Sequence, residues 1–492
     1  MPPTQWVRSY SMEAVEREAV HRSVEILEGH HACVPRGPTH GRAPVGGKTS
    51  IFTSMCLLVQ SIVGGGLLTF PHAYRIGGVA NIVALQLLLL PFIALGLWVL
   101  AWCTERTTAG SYQAMVRQSL GRGAEIFCVW IILVLIFGAS VVYLDVLVDQ
   151  LHPWFQQAAD QCAARGLPCS CKIAALQLDS RALLTWTLAA LLCTLCLGRS
   201  MASLSVPSLL GFAALLYVCL MIIANFAVDP RVPGAAAQTA AANARDVAWY
   251  RPGLQQWFSM IPVICFSYQG HISAIPLYAE LQYRSTVRWL KVIGIGLGAC
   301  IALYNATGLL GYLQFLEGTE SDVLRSFLEH PDALRIPVGF VTAGRVAVAM
   351  AVSVTCAVFT FCARSAVLDE LIRVCGSSAE SAAVFYGVTL VWMAAIAATA
   401  VCVPDMGAVV SVVGNFSAFF MFHFPGLCLI AASNEEPGRD EEKLGVSGSL
   451  RLVSAGGRFD RRGVRLRVLG WTFVSIGTVV FVLGIASAMY RL

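Results

Sequence analysis

Two short runs of residues inside otherwise apolar stretches carry the chemistry that this sequence offers. Gly64, Gly65 and Gly66 stand in succession, followed by Leu67-Leu-Thr-Phe-Pro71. Three glycines leave backbone uncovered and weaken a helix. Their free N–H groups, at the head of the half-helix that follows, suit a carboxylate. The second run is Phe266-Ser-Tyr-Gln-Gly-His271, with Pro262 before it and Pro276 after it. Backbone carbonyls between Phe266 and Gln269 suit an ammonium group. Backbone contacts alone recognise any molecule with both charges, so selectivity falls to side chains. Tyr268, Gln269 and His271 are the candidates. An ionisable residue at membrane depth is a functional hypothesis by default. His271 therefore binds ligand, senses pH, or is a neutral, hydrogen-bonded structural histidine. His423 takes the structural reading.

The elements that must position these runs are membrane helices. Of 492 residues, 57% are hydrophobic and 13% are charged. A soluble globule cannot hide so much apolar surface, whereas a bilayer accommodates it. Eleven apolar segments are each long enough to span, near 51–76, 79–103, 125–149, 182–199, 205–228, 257–280, 288–315, 337–366, 383–402, 406–432 and 467–488. Residues 1–50 form a polar tail, read as cytoplasmic, either with a short helix around 12–27 or disordered throughout. The loop at 433–466 is polar, and 467–492 hold the last span and a short outer end. Most of the 34 Lys and Arg residues fall on one side if the N-terminus is cytoplasmic, including Arg106, Arg117, Arg122, Arg284, Arg288, Lys291 and the cluster from Arg458 to Arg467. That asymmetry predicts N-inside and C-outside.

Most of the 17 cysteines lie in apolar runs and read as small hydrophobes. Cys162, Cys169 and Cys171 share one polar loop that faces outside in this topology, so one disulfide among them is expected. The sequons at Asn305 and Asn415 fall inside spans and are not read as glycosylation sites. Arg345 lies within the eighth span and is expected to pair with an acid or with carbonyls near the outer end, Asp145, Asp149 and Glu280 being the candidate acids. No nucleic-acid patch or enzyme constellation is present, and Gly47-Lys-Thr49 lacks the upstream glycine of a phosphate loop.

Spans one to five cover 51–228 and spans six to ten cover 257–432. Five is an odd number, so the second block inserts upside down relative to the first. Each block opens with an interrupted helix. Paired interruptions in an inverted repeat are the sequence pointer to a midplane site in secondary transporters. Tight helix packing is the competing explanation for such glycines, and it is preferred for Gly294, Gly296 and Gly298.

Three motifs carry a family resemblance. Ser61-Ile-Val-Gly-Gly-Gly-Leu-Leu-Thr-Phe-Pro-His-Ala-Tyr74 resembles the first-helix signature of the amino acid/auxin permease superfamily. Phe266-Ser-Tyr-Gln-Gly-His-Ile-Ser-Ala-Ile-Pro-Leu-Tyr-Ala-Glu-Leu281 resembles the sixth helix of its sodium-coupled neutral amino acid transporters, solute carrier family 38. Pro404-Asp-Met, with Phe419-Phe-Met-Phe-His-Phe-Pro-Gly-Leu-Cys428, resembles the tenth. The first and tenth helices are most similar to the member 7 and member 8 branch. The resemblance implies an all-α polytopic membrane protein of LeuT-type 5+5 inverted-repeat fold, with eleven transmembrane helices and helices one and six broken. It implies carriage of glutamine-like neutral amino acids with sodium as coupling ion and no other cofactor. It places sodium on the backbone near Gln60 and Val63 and on the hydroxyls of Ser353 and Thr355; these hydroxyls could instead bond carbonyls of their own helix. Gln60 stands where members usually carry Asn, and Ile272 and Ser273 stand where they often carry Pro and Glu. Proton coupling or exchange on the same fold is therefore the first rival. A membrane amino acid sensor, with a cytosolic partner for the tail, is the second. The plasma membrane is the expected location, with the lysosomal membrane as alternative.

Overall fold

A computed structural model of the protein describes residues 49–107, 109–164, 180–197, 205–228, 247–375, 381–434 and 461–489. The polar tail before Thr49, Cys169 and Cys171 lie outside these residues, as does the side chain of Cys162, so the expected tail helix and disulfide do too. Regular structure among the described residues is helical, apart from one bridge between Thr49 and Leu281. The long helices are α1 (Ile51–Ile62), α2 (Gly66–Gly77), α3 (Val79–Thr107), α4 (Tyr112–Leu120), α5 (Arg122–Ala164), α6 (Arg181–Cys196) and α7 (Ser205–Ala227) in the first half. In the second half they are α8 (Leu254–Ser267), α9 (His271–Ala279), α10 (Thr286–Phe315), α11 (Val323–Glu329), α12 (Val338–Cys375), α13 (Ala382–Cys402), α14 (Met406–Ser433) and α15 (Arg461–Met489).

Helices are what such a sequence must form. A lipid-facing backbone has no water to bond to, so each N–H must find a carbonyl in its own segment. Polar residues at the entries supply acceptors for the orphan donors of the first turn. Ser50 Oγ accepts from Thr53 N at 3.1 Å, Ser285 Oγ from Arg288 N at 3.2 Å and Asp405 Oδ1 from Gly407 N at 3.0 Å. Eight helical segments among the described residues are long and apolar enough to cross a bilayer, taking α8 with α9 as one; α1 with α2, bent by 60°, makes a ninth. Leu87, Leu191, Leu220, Leu290, Val391 and Val482 are each more than half exposed, the belt that lipid covers. The protein is a multi-pass membrane protein.

The centre of the bundle is built from α2, α5, α8, α10 and α14. Helix α14 lies along α15 and α8, α5 packs on α12, and α10 backs both α1 and α2. Helix α5 has 43 residues, about 65 Å at the α-helical rise, and so projects well past the bilayer core. Its polar extension beyond the expected end at 149 carries the partner of Arg345. The Arg345 guanidinium donates to the Gln150 carbonyl and, at 3.2 Å, to Gln150 Oε1. The expected pairing with a carbonyl is what forms, and the three candidate acids are corrected. Asp145 and Asp149 are taken by Arg181 at the start of α6, and Glu280 lies at the opposite end of the bundle, where its carbonyl accepts from Thr49. Gln150 Nε2 in turn donates to Asp322 at 2.5 Å, and Asp322 caps α11 through Leu324 N at 2.9 Å.

Asp322 lies in the connection between α10 and α12 and is fully buried. Burial, with the Asp149 carboxylate nearby, pushes its carboxyl up to about 7. Between its ordinary value near 3.8 and about 7 the folded protein holds a proton that the unfolded chain has lost. The seating of α11 is therefore firmest at low pH and weakens as pH rises through that window, by up to about 1.4 kcal/mol per unit. Hydrogen exchange across 323–329 should show falling protection from pH 5 to 7.5 in the native protein and no such trend in Asp322→Asn.

Candidate functional site

The two interrupted runs fold as two breaks. Helix α1 ends where Val63 N donates to the Val59 carbonyl at 2.7 Å and Val63 turns extended, with φ −77° and ψ 102°. Helix α2 restarts with Leu67 N on the Gly64 carbonyl and Leu68 N on that of Gly65. The second break runs from Ser267 to Gly270. There Tyr268 N still reaches the Ile264 carbonyl, Gln269 N the Phe266 carbonyl and Gly270 N the Tyr268 carbonyl. The carbonyls of Phe266 and Tyr268, which the sequence offers to an ammonium, thus already hold one donor each, and each keeps a second lone pair.

The breaks cross in contact. A Cβ on Gly66 would overlap Ser267 Oγ and stand 3.0 Å from Ser267 Cα, and one on Gly270 would stand 2.7 Å from Ile62 Cγ1. Glycine is required because each backbone lies against the other break. Tyr304 of α10, fully buried, ties them together. Its hydroxyl donates to the Ser267 carbonyl at 2.6 Å and shares the proton with the Ile62 carbonyl at 3.1 Å. Its ring stacks on Phe70 with centroids 4.5 Å apart and lies 5.0 Å from the ring of Tyr268. The Gly64 amide faces the Tyr304 oxygen, and the Gly65 amide faces the hydroxyl of Tyr143 from α5. A Cβ on Gly64 would lie 3.0 Å from that hydroxyl. Two phenols therefore stand where the sequence reading puts a carboxylate.

Every polar side chain from Ser267 to His271 is left without a partner. Ser267 Oγ, the Tyr268 hydroxyl, both amide atoms of Gln269 and both ring nitrogens of His271 are shielded from solvent and make no hydrogen bond of good geometry. Native interiors hold few such groups, and a cluster on consecutive residues marks a place prepared for something else. The structure thus brings Gly64, Gly65, Gly66, Ser267 and Tyr268 together. His271 is turned elsewhere. A Cβ on Gly96 of α3 would stand 2.9 Å from its Nε2 and 3.4 Å from the Met421 carbonyl of α14, and the Ile93 carbonyl faces the ring. Phe266 is half-buried against the core. His423 is structural as expected, with Nδ1 at 3.2 Å from the Phe419 carbonyl and Nε2 at 3.0 Å from Thr478 Oγ1.

Residues 47–439 match the family described as transmembrane amino acid transporter protein. The chain belongs to that family. Among curated members it is 28% identical to sodium-coupled neutral amino acid transporter 7 of Xenopus laevis, over 82% of this chain and 86% of that one. It is likewise 28% identical to the Homo sapiens protein of that name, over 79% and 81%. It is 29% identical to solute carrier family 38 member 8 of Homo sapiens, over 77% and 85%. Among solved structures it shares the fold of a sodium-coupled sialic acid symporter in a substrate-bound outward-open state, with a TM-score of 0.50, 13% identity and 97% of each chain covered.

Within this amino acid transporter family member, the four residues assigned to sodium are split between two helices. Gln60 is half-buried and Val63 buried at the end of α1. On α12, Ser353 Oγ donates to the Ala349 carbonyl at 2.7 Å and Thr355 Oγ1 to that of Ala351 at 2.9 Å. The protons are spent inside the helix, and the oxygen lone pairs that a hard cation needs remain. Tyr143 links the two regions, since its ring lies against Gly65 and 5.6 Å from that of Phe359 on α12. Above the breaks, towards the end where α2 finishes, a mostly apolar cavity of about 370 Å³ lies between α2, α5, α8 and α14. Its deepest walls, Thr69 and Val263, stand about one helical turn from Gly65 and Ser267.

Gly66→Ala should abolish transport and cost about 1–3 kcal/mol by overpacking, since backbone as well as side chain blocks the methyl. Gly64→Ala, which meets only the Tyr143 hydroxyl, should be milder; uptake and melting temperature of both variants check the order. Tyr304→Phe should cost about 1–3 kcal/mol by leaving the Ser267 and Ile62 carbonyls without their shared donor, read as a lowered melting temperature.

Proposed function

We propose that this chain is a secondary transporter of small neutral amino acids such as glutamine, coupled to sodium and working by alternating access around the crossed breaks. The observation that carries the reading is the contact between the breaks together with the unpartnered polar groups lining the second. An amino acid's carboxylate takes the amides of Gly64, Gly65 and Gly66, in exchange for or alongside the two tyrosine hydroxyls. Its ammonium takes the free lone pairs of carbonyls from Phe266 to Tyr268. Tyr268 and Gln269 meet its side chain, and His271 acts from behind, where α9 packs on α3. Sodium binds between the end of α1 near Gln60 and Val63 and the hydroxyls of Ser353 and Thr355. Unwound backbone at the head of a half-helix favours the anionic end of the ligand, and carbonyls favour the cationic end.

In this reading α1 with α2 is one span and α8 with α9 another. The short α6, of 16 residues, and α7 complete eleven. Residues 51–228 and 257–432 are the two inverted five-span blocks, with the N-terminus inside, so the 370 Å³ cavity is an approach from outside. Its sodium-coupled relatives support the choice of ion and of substrate class. Proton coupling is the second reading, favoured by an ionisable ring, His271, fully buried at membrane depth. The assay assumes a plasma-membrane protein. Glutamine uptake into expressing cells should be several-fold higher in sodium than in choline, and Gly65→Leu should lose it. Equal uptake in both buffers, rising on acidification and lost in His271→Ala, would transfer the coupling to protons. No amino acid flux from surface-expressed protein under any ion gradient would sink the transporter reading.

A further inference from the structure

A second cavity, polar and distinct from the apolar one, lies at the same end of the bundle. It is an open recess of about 320 Å³ between the end of α2, the start of α8 and the turn after α10, walled by Arg75, Arg251, Gln255, Gln256, Ser259 and Glu317. Ile76 lines both this cavity and the apolar one, so the two are neighbours. Its charge is lopsided, with two guanidinium groups and one carboxylate. Arg75 donates to the Glu317 carbonyl at 2.8 Å, and Arg251 Nη2 to Glu317 Oε1 at 2.6 Å. Arg251 Nε has no partner at all. A guanidinium offers its Nε–Nη edge as a fork that fits a carboxylate by two parallel bonds. Glu317 fills one prong and leaves the other empty, at a cost for the shielded donor. The Glu317 side chain is 71% exposed and able to swing away into solvent. The arrangement is that of a carboxylate site half-filled by an internal, exchangeable carboxylate.

We propose that this cavity is a receiving site for a small carboxylate, the α-carboxylate of the arriving amino acid, which displaces Glu317 from Arg251 before moving past Ile76 towards the breaks. The volume admits a small amino acid together with water, and the glutamines and Ser259 supply neutral polar contacts for its remaining groups. The proposal rests on the reading of the chain as an amino acid transporter. Its test does not, because binding is measured without transport.

Purified full-length protein is melted in sodium acetate and in sodium chloride at equal concentration, and with glycine added to the chloride. Acetate has the carboxylate but no ammonium, so the carbonyls of the second break have nothing to hold. Acetate should raise the melting temperature of the native protein by a few degrees over chloride. The rise should vanish in Arg251→Gln and in Arg75→Gln, persist in Gly65→Leu and grow in Glu317→Gln, which removes the internal competitor without loss of charge on Arg251. A rise with glycine that follows the same pattern assigns the site to amino acids, and a rise with acetate alone overturns that part. An acetate effect equal in native protein and Arg251→Gln, or one lost in Gly65→Leu, overturns the site. If the arginine variants fail to fold, an unchanged acetate effect in Glu317→Gln does so. Loss of uptake in the sodium experiment leaves these melting results untouched, so the two readings fail separately.

Discussion

A backbone unwound in the middle of a membrane has to satisfy its own polar groups, and here the two breaks do so through one hydroxyl. Tyr304 stands behind both and gives its single proton to carbonyls of each, at the ends of α1 and α8. Without such a donor the carbonyls would be stranded in a medium that supplies none. The hydroxyl also fixes how closely the breaks approach, and that closeness dictates glycine at Gly66 and Gly270. Helix α10 is stiffened in turn by a buried polar chain one residue on. Asn305 Nδ2 donates to Gln86 Oε1 of α3 at 2.7 Å, and the Tyr74 hydroxyl of α2 donates to Asn305. The crossing is backed by α10, which α3 and α2 brace through Asn305.

Both breaks could be read in the sequence because their residues are out of place. Glycine in threes and a Ser-Tyr-Gln-Gly-His run conflict with an apolar span, and a conflict between local preference and surroundings is where function tends to sit. Tyr304 and Tyr143 gave no such signal. A tyrosine in a membrane helix fits its neighbourhood, and only the fold reveals that its hydroxyl meets an unwound strand of backbone. The partner of Arg345 was hidden for another reason. Hydropathy ends the third span near residue 149, yet the helix continues, and the polar residues that follow bond to Arg345 and Asp322 instead of to water. The amphipathic α4 and the seven-residue α11 are likewise invisible to a search for long apolar runs. The family match shows amino acid transport, while the assignment of individual residues to carboxylate, ammonium and sodium is the proposal made above.

Several buried ionic groups, Asp145, Asp149, Asp322 and Arg345, gather at the end where α2 finishes. Arg181 lies between Asp145 and Asp149 and also donates to the Pro404 carbonyl, joining α5, α6 and the entry to α14. Charges withdrawn from water are tolerable only when paired in this way. Deeper in, Arg364 is fully buried, donating to the Cys196 carbonyl at 2.6 Å and to Thr389 Oγ1 at 3.1 Å, with Phe385 beneath it at 4.0 Å. It closes the last turn of the short α6 and binds it to α12 and α13. Arginine thereby pins α5, α6, α12 and α13 to one another, while the two breaks are tied together by the neutral hydroxyl of Tyr304.

At the opposite end, Thr49 is stitched to the residues just beyond α9. Its amide donates to the Glu280 carbonyl at 3.0 Å, its carbonyl accepts from Gln282 N at 2.9 Å and its hydroxyl donates to the Glu280 carbonyl at 2.7 Å. Thr49, two residues before α1, is thus a backbone clasp between α1 and α9, one limb from each of the two interrupted helix pairs. Prising these limbs apart means rupturing three bonds together, so in this arrangement they respond to a pull as one lever. Tension on the chain that precedes Thr49 is delivered to α9 as directly as to α1.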